Sequence, residues 1–234
     1  DVDGLIHQVR PVIGYRWMPE VGMAESSIPP IHPEVYTSGV DPLGLNHLPY
    51  RSDDGPEQTF RVGIENRLIA GRFDQPYAQR PLGSVAFYQD INQSREGASS
   101  RPSNTMLELD STPAHWIGLS LFTRVETESA TLIEFVPGLR LRDGDRWESR
   151  WYFQSLQRRV NQLLWDAEVS LSPRDRLLFE MRYSGQTQKV IRHSYGWRRR
   201  IGNSWLLETQ LIFRKDDTRE SDFQVNFSAT SLLF

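Results

Sequence analysis

The chain has no cysteine, which excludes disulfides, thiolate metal sites and a cysteine nucleophile. Lysine is nearly absent: Lys189 and Lys215 are the only two among 27 basic residues, and the rest are arginines. No run of apolar residues approaches the roughly 18 that a membrane-crossing helix needs, and no segment carries a helical hydrophobic period. Excess positive charge is missing as well. With 30 acidic residues against 27 basic ones the net charge is −3, so nothing electrostatic favours a nucleic-acid partner. The first residues are Asp-Val-Asp, with neither Met nor a signal peptide; this reads as a processed mature chain or a fragment.

What the chain does have is alternation. In Trp205–Phe213, Trp205, Leu207, Leu211 and Phe213 fall on one face with Thr209, while Glu208, Gln210 and the following Arg214 fall on the other. Successive side chains of a strand point to opposite faces, so this is a ribbon with an oily side and a wet side. The pattern recurs. Residues 5–17 set Val9, Ile13, Tyr15 and Trp17 against Gln8, Arg10, Gly14 and Arg16, and Phe60, Val62, Ile64 and Leu68 oppose Arg61, Gly63, Glu65 and Arg67. Val85 and Phe87 belong to a strand after Arg80-Pro81, polar residues 92–104 read as a loop, and 105–110 begin a strand ending at Thr112-Pro113.

Ile117, Leu119, Leu121 and Val125 precede a tight turn near Glu126–Ser129, followed by Ile133, Phe135, Leu139 and Leu141. Asp143-Gly144 is a hairpin signal, as is Gly202-Asn203, and Ser172-Pro173-Arg174-Asp175 is a third turn. Between and beyond them run Trp147–Phe153, Leu163–Leu171, Leu177–Tyr183, residues 190–201 and Phe223–Phe227. The expectation is about twelve strands, all-β, antiparallel and up-and-down. Segment 18–57, with seven prolines from Pro19 to Pro56, reads as one large loop at a rim or in a lumen.

Alternation alone fits a soluble sandwich equally well, and a mean hydropathy of −0.53 fits either, because half of each barrel strand faces a polar lumen. Three features favour a transmembrane β-barrel. Strands of about nine to twelve residues match the span of a tilted strand across a bilayer. Trp116, Trp147, Tyr183, Trp205 and Phe213 lie near strand ends, as an interfacial girdle requires. The opposite face carries charge of both signs inside the strands, including Arg61, Glu65, Glu134, Arg150, Glu168, Glu180, Arg182 and Glu208.

The order of the strands also resembles the C-terminal barrel of the LPS-assembly outer-membrane proteins, the LptD or organic-solvent-tolerance family. The stretch from His7 to Pro19 is similar to that family's H-x-x-x-P-x-x-x-Y-x-Y-x-P strand, and Phe60–Leu68 to its V-x-x-G-L-x-N-R-L. Val85–Tyr88 stands where the family has an alternating strand ending in paired aromatics. Ser103–Leu109 with Pro113 and Trp116 resembles its S-x-L-x-x-E-L-x-x-x-P hairpin, and Tyr195-Gly-Trp-Arg, Ser204-Trp-Leu and Phe223–Phe227 resemble its last three strands. Two departures stand out. Family members carry paired cysteines before the penultimate-strand tryptophan, where this chain has Asn203-Ser204. Family barrels also have about twice this number of strands and a periplasmic N-terminal domain, so the resemblance implies the C-terminal part of a larger barrel.

The resemblance implies a bacterial outer-membrane protein, without cofactor, that inserts lipopolysaccharide into the outer leaflet. Its partners would be lipopolysaccharide, outer-membrane lipid, a plug lipoprotein and a periplasmic bridge reached through other parts of the protein. On this reading the last strand, with Phe223, Val225 and Phe227, forms one side of a lateral seam. Lumenal Arg61, Arg67, Arg140, Arg150 and Arg182 are the candidates for phosphate contact, since guanidinium matches phosphate geometry. The blander role for each is pairing with lumenal carboxylates. The rival is a small porin complete as given, whose first and last strands close on each other.

A barrel enzyme fits less well. His193 and Ser194 are adjacent in a strand and face opposite sides. Asp53-Asp54 and Asp216-Asp217 read as solvated loop charges, and His32 and His47 lack the spacing of a metal motif. No catalytic or metal residues are expected.

Overall fold

The computed structural model describes residues 4–17, 57–72, 75–94, 101–157, 160–215 and 222–231. They form twelve strands and, among the described residues, no helix. In chain order these are β1 (Gly4–Trp17), β2 (Glu57–Arg72), β3 (Gln75–Ser94), β4 (Arg101–Ala114), β5 (Ile117–Glu126), β6 (Thr131–Asp143), β7 (Trp147–Leu156), β8 (Val160–Ser170), β9 (Asp175–Ser184), β10 (Lys189–Ile201), β11 (Trp205–Arg214) and β12 (Asp222–Ser231). The strands lie in one sheet in sequential order, each antiparallel to the next, with β1 and β12 at the two ends of that order. The chain divides into two compact units: Asp1–Ser111 with Leu121–Glu134, and Thr112–Ser120 with Phe135–Phe234. The long segment 18–56 lies outside the described residues, and with it His32, His47, Asp53 and Asp54; so do Asp216 and Asp217.

Turn chemistry sets the registers. Gly144 (φ +52°) and Gly202 (φ +57°) take the left-handed conformation that opens the β6–β7 and β10–β11 connections, where a side chain would be strained. At the β8–β9 turn the Ser172 hydroxyl accepts from the backbone N–H of Arg174 and Asp175 (3.1 and 3.0 Å) and donates to the Asp175 carboxylate (2.8 Å). Ser172 thus holds the corner that Pro173 begins.

Two strands reach further than alternation indicates. β3 runs back through Pro81 to Gln75, and β4 begins at Arg101, so part of 92–104 is strand. Both prolines sit at irregularities: Pro81 opposes Ile69 beside a register shift, and Pro102 opposes Ile91 beside another. A bulge is where a strand tolerates a residue that cannot donate to the ladder.

The two faces are inverted relative to a water-soluble sheet. Ile13, Tyr15, Phe60, Ile64, Phe87, Leu177, Tyr195, Trp205, Leu211 and Phe223 are all exposed. The buried polar residues, Thr59, Arg61, Asp90, Glu134, Ser184 and Ser194, lie on the other face. That face also buries Ala86, Tyr88, Met106, Phe122 and Ile212, apolar residues among the charges that alternation did not single out.

Candidate functional site

In the first unit the wet face carries a buried ion pair. Register places Arg61 of β2 opposite Asp90 of β3. The guanidinium donates twice, Nε to Oδ1 at 2.6 Å and Nη2 to Oδ2 at 2.8 Å, the fork-to-carboxylate geometry that arginine permits. The pair is buried, with 4% and 6% of each residue exposed. Met106 Sδ is 3.9 Å from Nη2, and the guanidinium lies 5.9 Å from the centre of the Tyr88 ring. One register step on, Tyr88 lies across Gly63, where a Cβ would collide with the ring. That close approach lets the Tyr88 hydroxyl donate to Glu65 at 2.8 Å, while Glu65 also accepts from Arg10 of β1 at 2.7 Å.

In the second unit the wet face is more open. Arg198 links Glu208 (2.8 Å) and Glu168 (3.6 Å), Arg176 pairs with the same Glu168, and Arg150 lies 3.4 Å from Glu148. Glu148, Arg150, Glu168, Arg198 and Glu208 line a depression of about 140 Å³ with Asp166 and Glu180. Ser194 lies below, accepting from Gln210 (3.0 Å) and donating to Glu180 (3.3 Å). Its neighbour His193 faces the other way, stacked on Phe213 at 4.9 Å. The two cannot share a proton.

The five candidate arginines therefore separate. Arg61 and Arg150 are held by carboxylates on the same face. Arg140 lies beside Gly118, its Nε 3.4 Å from where a Cβ there would stand. Arg67 is exposed on the wet side of β2. Arg182 stands opposite Arg192 of β10, and Arg192 stands opposite Arg214 of β11. This cross-strand row of three arginines was not singled out from sequence, although counting outward from the Gly202 hairpin sets Arg192 against Arg214. Within it Arg192 meets Glu180 at 3.6 Å. Like charges directly opposite in a sheet repel, and the Glu180 carboxylate offsets part of that repulsion.

The apolar face of the second unit carries a continuous aromatic ladder. Trp151 stacks on Trp165 (4.8 Å), Trp165 meets Phe179 (4.5 Å), Phe179 meets Tyr195 (5.4 Å), Tyr195 meets Phe213 (6.3 Å) and Phe213 meets Phe223 (5.1 Å). Aromatics near strand ends are present too, with Trp147 and Trp205 opening β7 and β11, while the ladder runs from mid-strand positions at Trp151, Trp165 and Phe179 to the strand ends at Phe213 and Phe223. Trp165 Nε1 donates to Ser149 (2.8 Å) and Trp197 Nε1 to Asp175 (3.2 Å). Phe223, Val225 and Phe227 of β12 are exposed, Phe227 at 76%, on the terminal strand of the order. No protein-family model matches the chain, and no curated protein matches it.

Proposed function

We propose that this sheet is part of an outer-membrane β-barrel that moves lipopolysaccharide toward the outer leaflet. The observation that carries the membrane half is the inversion of the faces: large apolar side chains are exposed while charged ones are buried. In water, leaving the row from Trp151 to Phe223 uncovered costs about 25 cal/mol for each Å² of apolar surface; in hydrocarbon that cost vanishes. Strands of 10 to 20 residues supply the length a tilted strand needs. The substrate half rests on the resemblance of the strand order to the LPS-assembly family and on the arginines of the wet face. Barrel closure, the lateral seam beside β12 and the bacterial outer-membrane location belong to the same proposal.

On this reading the headgroup phosphates of the amphiphile pass along the wet face. Arg67, Arg140 and Arg182, which have no ion pair among the described residues, offer them donors. The acyl chains leave past Phe223, Val225 and Phe227.

The test is photo-cross-linking in cells, with a light-activated residue at position 182, 67 or 207 of the full-length protein. Lipopolysaccharide adducts at 182 and 67 but not at the lipid-facing 207 are expected. Absence of adducts at both wet-face positions rules out lipopolysaccharide passage. A steady ion conductance in planar bilayers would then establish the porin alternative.

A further inference from the structure

Building on the membrane reading above, we infer that the apolar face of the second unit is a lipid-facing band bounded by two polar rows, Asp175 with Arg199 and Tyr183 with Lys215, each lying in the headgroup layer of one leaflet. Of the charged residues on β9, β10 and β11, only Asp175 and Arg199 stand on the apolar face. Register sets Arg199 between Asp175 of β9 and Leu207 of β11, at the end of the strands where the β8–β9 and β10–β11 turns lie. Arg199 Nε is 3.7 Å from Asp175 Oδ1, and Trp197 Nε1 donates to the same oxygen at 3.2 Å. The Ser172 hydroxyl donates to Oδ2 at 2.8 Å. The guanidinium stands 5.7 Å from the centre of the Trp197 ring, and its side chain is 48% exposed, open to the phosphates of a headgroup layer. Charge on a lipid-facing strand costs most at the bilayer midplane and little at the interface. An indole whose N–H has a polar partner belongs at the same boundary.

The second row closes the band at the other end. Tyr183 stands opposite Val190, and the next residue, Ile191, accepts through its carbonyl from the Lys215 backbone N–H at 2.9 Å. Lys215 follows β11 on the side of Phe213. A lysine stem lies along apolar surface and carries its ammonium to the water boundary. Between the rows come Leu177, Phe179 and Met181 of β9 and His193, Tyr195 and Trp197 of β10, with no arginine, lysine or carboxylate among them. The spacing fits a bilayer. Asp175 and Tyr183 are eight residues apart, about 27 Å of strand at about 3.4 Å a residue. A strand tilt of about 35–45° leaves about 19–22 Å along the membrane normal, near the roughly 25 Å height of an outer-membrane apolar band. A soluble protein partner would require neither that height nor a polar row at each end.

The experiment reads depth at three positions four residues apart: Leu207→Cys, opposite Arg199, Leu211→Cys, midway between the rows, and Lys215→Cys. Each variant of the whole chain is labelled with a fluorophore, reconstituted in phosphatidylcholine vesicles and checked for folding by its heat-dependent gel migration. Quenching by phosphatidylcholine with a nitroxide on the headgroup is compared with quenching by the lipid carrying it near the chain end. The label at 211 is expected about 10 Å deeper than the labels at 207 and 215. Equal depths at 207 and 211, or a depth that grows steadily from 207 to 215, overturn the two boundaries. If neither lipid quenches any position while iodide reaches all three, the membrane reading itself fails and takes the band with it. Quenching by lipid without the shallow–deep–shallow pattern removes only the boundaries.

Discussion

The wet faces of the two units solve the same problem differently. In the first, Arg61 and Asp90 are buried and joined by two short hydrogen bonds, with Met106, Tyr88 and Gly63 packed around them. In the second, Arg150, Arg176 and Arg198 share carboxylates at partly exposed positions, and Arg182, Arg192 and Arg214 line up against one another. A buried, forked pair has its donors consumed and serves the fold. In the partly exposed row Arg192 is paired with Glu180, which leaves Arg182 as the member that the proposed reading gives to a ligand. Burial therefore sorts structural arginines from candidate binding ones, which residue type alone cannot do.

The largest effect should come from breaking the buried pair. Asp90→Asn leaves Arg61 charged without its counter-ion and should cost about 3 kcal/mol or more. The matching change in the second unit, Glu148→Gln, removes a pair whose side chains are 45% and 34% exposed and should cost under about 1 kcal/mol. Urea titration of the folded, heat-modifiable form measures both. Equal costs would erase the distinction between the two faces.

Next in size is the apolar face. Phe179→Arg puts a charge into the middle of the aromatic ladder and should cost about 2–4 kcal/mol in a bilayer. Ser228→Arg, at an exposed wet-side position of β12 opposite Glu208, should change folding by about 0.5 kcal/mol or less. If the two substitutions are equally harmless, the apolar face does not meet lipid. Smaller still is Trp165→Leu, which keeps an apolar side chain but removes the contacts with Trp151 and Phe179. A loss of about 1–2 kcal/mol is expected from two aromatic pairs, and the same denaturation measurement reads it.

The strands were legible because a period of two is a local property. About twelve were expected from alternation and twelve are present among the described residues, and the turns at Gly144, Ser172 and Gly202 were readable from residues whose chemistry the turn demands. The extensions of β3 and β4 were not, because Pro81 and Pro102 read as breakers until the bulges that accommodate them are visible. Face assignment was legible residue by residue, but what fills a face was not. Met106, Phe122 and Ile212 lie buried among the polar side chains, with Arg61 against Met106 and Arg124 over the Phe122 ring, and which side chains meet across strands depends on register. The Arg182–Arg192–Arg214 row belongs to the same class: each arginine reads as an ordinary wet-face charge until three strands are aligned. The aromatic ladder was barely legible: of its members only Phe213 reads as a girdle residue, while Trp151, Trp165 and Phe179 become one surface only across strands.

The central claim is that the exposed apolar face meets lipid while the charged face meets water. Because the chain has no cysteine, single cysteines can be introduced along β11 without altering any other residue. With Leu207→Cys through Leu211→Cys made one at a time, labelled with an environment-sensitive fluorophore and reconstituted in vesicles, a period of two is predicted. Positions 207, 209 and 211 should be quenched by nitroxide lipids, and positions 208 and 210 by a water-soluble quencher. Uniform access of the water-soluble quencher to all five positions would contradict it.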